Sequence, residues 1–162
     1  MKSLLISIAV YGLLPVASPA ANKPPTPVVS NVPADGVIRM KSAFSFDDTV
    51  ARIKKDVATK GIRFFDEIDQ SALGAQAGIK VPRSTLVLFG NPPLGVQFLS
   101  SNPYAGLDWP VRMLVVQDPD GAVWVAWTDF NFIANRYRIA DRPAQFKMAG
   151  EVAGSIAAAA TK

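Results

Sequence analysis

Apolar and polar positions along the chain fall into short blocks whose period keeps switching between two and about 3.6. From Val37 to Phe44 they alternate, with Ile38, Met40 and Phe44 on one side and Arg39 and Lys41 on the other, which predicts a half-buried strand. Ser45 then stands three residues before Asp48 in an N-capping pattern. Val50, Ile53 and Val57 follow at helical spacing, with Lys54, Lys55 and Lys60 on the other faces and Gly61 at a left-handed stop. That spacing predicts a helix over about 47–60. A second strand is expected from Ile62 to Ile68, burying Ile62, Phe64 and Ile68, before a short Ala-rich helix over Gln70–Gly78.

Ser84–Phe89 is a near-continuous apolar run, which predicts a strand covered on both faces. Gly90-Asn91 turns out of it, and Pro92-Pro93 opens a helix carrying Leu94 and Phe98. Val111–Gln117 and Ala122–Thr128 flank Asp118-Pro119-Asp120-Gly121, the chemistry of a type I turn with a bulge, so they predict an antiparallel hairpin. A short helix is expected at Phe132–Tyr137. Phe146, Ala149, Ala153, Ile156 and Ala160 share one face of a C-terminal helix, with Asp141 near its start. The economical arrangement is α+β: a single antiparallel sheet backed on one face by the two longer helices, in β-α-β-β-β-β-α order with short inserted helices.

The first 36 residues read differently. Met1-Lys2 leads into an apolar run from Leu4 to Leu14, then Pro15 and the small residues VASPA. The run is about half the roughly 20 residues a spanning helix needs, and Ser18 and Ala20 suit a signal peptidase. The expectation is a signal peptide over 1–20 cleaved after Ala20, a Pro-rich linker over 21–36 and one domain over 37–162. The mature protein is then periplasmic or secreted, with no integral membrane segment. An uncleaved leader tethering a purely structural envelope protein is the competing reading of that end.

Composition narrows the chemistry. With 162 residues there is room for one domain with a real core. The chain contains neither Cys nor His, which closes off thiolate and imidazole catalysis, Ser-His-Asp triads and most transition-metal sites. Net charge is +4, and +3 without Lys2. No basic run is dense enough to argue nucleic acid, and export argues against it further. Neither a cofactor nor a metal site is expected.

FGNPPLG (89–95), LDWPVR (107–112) and the Asp118–Val125 segment, read with RIKKDVATKGIRFFDEID upstream, resemble the bacterial domain of unknown function 302 family over about residues 44–140. The resemblance implies a sheet backed by two helices and names no reaction. Family members often carry His after the Asp that corresponds to Asp69. Here Gln70 stands there, so a His-dependent role does not carry over.

Candidate chemistry is sparse. Asn91 sits between a strand and a helix start, where it either faces a ligand or simply makes the turn; Pro92 and Pro93 remove two of the N–H donors an anion would need. Asp108 and Arg112 flank a strand start, either as cleft residues or as a capped turn with a salt bridge. Asp66, Glu67 and Asp69 are acidic neighbours, but strand alternation sends Asp66 to the face opposite Glu67 and Asp69. They read as a solvated strand end rather than a site. Asp118 and Asp120 lack the remaining ligands of a calcium loop. Asn91, Asp108 and Arg112 are therefore the ligand-contact candidates, with no catalytic residue assigned. The expected role is a non-enzymatic module that binds a small molecule or an envelope protein, assembled as a homodimer. The alternative is a carboxylate-based hydrolase or isomerase with Asp108 as base and Arg112 or Asn91 stabilising negative charge.

Overall fold

A computed structural model describes residues 34–162. The signal peptide expected over 1–20 lies outside the described residues, as does all but the end of the linker expected over 21–36. Five strands, β1 (Val37–Lys41), β2 (Arg63–Asp69), β3 (Ser84–Gly90), β4 (Val111–Gln117) and β5 (Val123–Thr128), form one sheet in the order β1-β5-β4-β3-β2. Every neighbouring pair is antiparallel. The helices are α1 (Phe46–Thr59), α2 (Gln70–Gln76), α3 (Pro92–Ser101), α4 (Phe130–Arg136) and α5 (Pro143–Thr161), with a 3-10 turn over Pro103–Asp108.

The long helices form in the places their patterns predict. Ser45 Oγ accepts from the Asp48 N–H at 3.2 Å, and Asp47 and Asp48 put negative charge in the first turn of α1. Gly61 ends the helix at φ 64°, where a side chain would be strained. Ile53 and Val57 of α1 and Ala153, Ile156 and Ala157 of α5 are sealed against Val87, Met113, Val115 and Val125 of the sheet. Among the described residues this is the core, between one helical layer and one sheet face. At the β4–β5 turn, Gly121 at φ 87° donates to Asp118 O and Asp118 donates to Ala122 O, closing the DPDG hairpin.

Three local expectations give way. β1 stops at Lys41, and Phe44 lies beyond it beneath the Arg52 guanidinium, 3.5 Å from the ring centroid. Phe64 is not buried: β2 carries a bulge between Phe64 and Asp66 that breaks the alternation. Phe65 is the half-buried ring instead, while Phe64 is 44% exposed. In β3, Val87 and Phe89 are sealed, but Leu86 and Leu88 are only half-buried. An apolar run reads as two covered faces; here the long helices lie on one side alone.

Candidate functional site

β3 ends at Gly90, and the chain turns at Asn91 into α3. Pro92 and Pro93 occupy the first helical positions, where the missing N–H groups cost nothing. The next two N–H groups, of Leu94 and Gly95, return to the Asn91 carbonyl at 3.0 and 2.9 Å. No N–H is left for the Asn91 side chain to cap, and it makes no capping bond. Asn91 lines a cavity of about 360 Å³ between α3, α5 and the sheet. That volume lies in the range of small-molecule sites.

The cavity walls are mainly apolar. Phe89 and Val111 come from β3 and β4, Leu94 and Phe98 from α3, and Met148 and Val152 from α5. Ala149 and Ala153 of α5 also line the hollow, and their short side chains leave room there. Phe98 stacks on Phe146 with centroids 4.2 Å apart and holds α3 away from α5. Trp109 closes one end. Its indole lies directly against Gly95, and Phe65 meets it edge-on at 5.6 Å. Lys60, at the end of α1, is the one charged residue among the lining side chains, and its ammonium bonds Asp56 at 2.5 Å.

Asp108 occupies a different place. Its side chain is only 2% exposed, and three donors hold it: the Arg112 guanidinium, the Arg136 guanidinium at 3.2 Å and the Tyr137 hydroxyl at 2.6 Å. Both arginines are about half exposed. Burial, followed by the bond to Asp108, pushes the Tyr137 phenol above its ordinary value. The knot ties the 3-10 turn and β4 to the end of α4, and Asn102 adds a bond to the Tyr137 carbonyl at 2.9 Å. The crevice beside it holds about 10 Å³, too little for more than a water. Asp108 and Arg112 thus come together, but Asn91 faces the larger cavity. Val111 and Phe130 border both spaces.

The other acidic residues are spent locally. Glu67 pairs with Lys54 at 2.6 Å, and Asp69 caps α2 through the Ala72 N–H at 2.9 Å. A bond from the Ser71 hydroxyl, then the Ala72 N–H, lowers the Asp69 pKa. Among the described residues no group of three or more His, Asp or Glu side chains converges to hold a metal ion. Sequence reasoning missed Lys60, Met148 and the small residues of α5 as cavity walls. The available signal was the small side chains of Ala149 and Ala153 on the inward face of the C-terminal helix.

Known proteins place this arrangement. The chain is 28% identical over 113 residues to the fluoride-specific ion channel FluC 1 of Brucella suis biovar 1, covering 70% of this chain and 44% of that protein. It is equally similar to the FluC 1 of Brucella abortus biovar 1, covering 42% of it. The chain therefore spans less than half the length of the curated relatives it matches. The crystal structure of an uncharacterized conserved protein from Bacillus stearothermophilus superimposes with a TM-score of 0.65, covering 78% of this chain and 96% of that one at 15% identity. The model of the domain of unknown function DUF302 matches residues 38–162, beyond the 44–140 stretch at both ends, and the chain belongs to the DUF302 family.

Proposed function

We propose that this chain is a non-enzymatic binding module acting outside the cytoplasm, and that it holds a small, largely apolar molecule between α3, α5 and the sheet. The observation that carries this reading is the cavity of about 360 Å³, lined by Phe89, Leu94, Phe98, Trp109 and Asn91, whose side chain makes no capping bond. Burying apolar ligand surface supplies the affinity, and a few polar groups fix orientation. The enzyme alternative needs Asp108 free to take a proton, whereas three donors occupy its carboxylate. The export part of the proposal rests on the residue pattern of positions 1–20.

The relatives' name does not extend to this chain as an activity. No helix among the described residues is long and apolar enough to cross a membrane. The part of those proteins that resembles this chain is best taken as an accessory domain rather than an ion path. A homodimer remains part of the proposal: Ile68, Leu86, Leu114 and Ala126 line up across β2, β3, β4 and β5 on the face turned away from α1 and α5. Sedimentation showing a monomer at micromolar concentration would remove that element.

Native mass spectrometry of the protein purified with its ligands retained tests the central claim. A reproducible added mass that disappears in Ala153→Leu, which fills the hollow, supports it. An added mass that survives the filling substitution in a folded protein, or no bound mass in either form, sinks it.

A further inference from the structure

The strand register gathers the polar groups of the cavity at one end. Arg63 pairs with Gly90 and Phe89 with Val111, so the chain from Lys60 to Ile62 and the residues Asn91 and Trp109 all lie just beyond the same ends of β2, β3 and β4. Each brings N–H donors. The Lys60 ammonium gives one of its three to Asp56 and keeps two. The Asn91 amide has no capping bond. The Trp109 indole N–H has no hydrogen-bond partner among the described residues, and unlike those of Trp124 and Trp127 it is not sealed in. No acidic side chain lines the cavity, and its one charged lining residue is Lys60, paired with Asp56. The rest of the wall is apolar. At ~30 Å³ per water-sized group, a volume of about 360 Å³ takes roughly a dozen non-hydrogen atoms.

Taking the cavity as a ligand site, as proposed above, we infer that its ligand is an amphipathic carboxylate of about that size, its apolar body in the hollow and its head against Lys60, Asn91 and Trp109. A carboxylate accepts from all three donors, sharing the Lys60 ammonium with Asp56. An uncharged head of the same length satisfies fewer of them.

Isothermal titration of the full chain with decanoate and with 1-decanol separates the two levels of the argument. Decanoate is expected to bind at least tenfold more tightly than 1-decanol. Lys60→Met, which keeps the stem and removes the charge, brings the two to parity, and Lys60→Arg keeps the preference. Equal binding of both probes by the unaltered protein overturns the carboxylate assignment and leaves the cavity reading standing. A preference that persists in Lys60→Met overturns the part given to Lys60. Binding of neither probe overturns the cavity reading and the carboxylate together.

Discussion

The indole of Trp109 lies where a side chain at position 95 would be: a β-carbon on Gly95 would sit 1.9 Å from its Nε1. At Gly90 the same atom is 3.3 Å away. Position 95 therefore requires glycine for close approach, although its backbone is ordinary helix. Gly95→Ala forces the indole out of place, and overpacking of this kind costs about 1–3 kcal/mol. Gly90→Ala meets only a tight contact and gains strand propensity, so its net effect stays within about 1 kcal/mol. Urea midpoints followed by tryptophan fluorescence check both. Equal effects would show that Trp109 is not seated between α3 and the sheet.

The Asp108 knot is expected to serve stability. Asp108→Asn leaves a hydrogen-bonding side chain but removes the charge that Arg112, Arg136 and Tyr137 share. The arginines are solvated enough for screening to shrink their part, so the buried Tyr137 bond dominates. A hydrogen bond to a charged group contributes about 1.5–3 kcal/mol, and the variant should lose an amount of that order in urea unfolding. A variant as stable as the original would free Asp108 from this role and revive it as a candidate base.

The same bond carries a pH signature. Tyr137 titrates above its ordinary value in the folded protein because burial and Asp108 disfavour the phenolate. A group whose folded pKa is raised contributes stability that is complete below the unfolded value and is lost as pH rises through the folded one. The loss therefore begins above about pH 10, the ordinary phenol value. Thermal unfolding followed from pH 8 upward should show a steeper decline for the original protein than for Tyr137→Phe. Parallel curves would mean that the phenol is not held by Asp108.

Much of this fold is written in local patterns, because local chemistry made the elements. Ser45 caps α1, Gly61 ends it, and Gly121 closes the β4–β5 hairpin, each a short-range cause visible in neighbouring residues. The site is a different matter. Asn91 stands out as a turn residue, but its freedom from capping depends on where the Leu94 and Gly95 N–H groups go. Lys60 and Met148 meet at the cavity only through packing, and a void left by Ala149 and Ala153 is a property of four elements at once. The partners of Asp108 show the same limit: Arg112 is four residues away and legible, whereas Arg136 and Tyr137 arrive through the fold.

The β2 bulge offers the sharpest contest between pattern and packing. Straight alternation buries Phe64 with Ile62 and Ile68 and leaves Phe65 outside. The extra residue between Phe64 and Asp66 reverses this, putting Phe65 against Trp109 at 5.6 Å with the Arg63 guanidinium 5.0 Å from its ring centroid. Truncating a packed aromatic ring costs about 3–5 kcal/mol in a core, and the half-buried Phe65 should lose about half of that. Phe65→Ala also removes the ring that holds Trp109 at the end of the cavity, so it should shift tryptophan emission and weaken ligand binding together. Phe64→Ala, at an exposed position, should change stability by no more than about 0.5 kcal/mol. If the order of the two losses is reversed, β2 runs without its bulge and the Trp109 wall is built some other way.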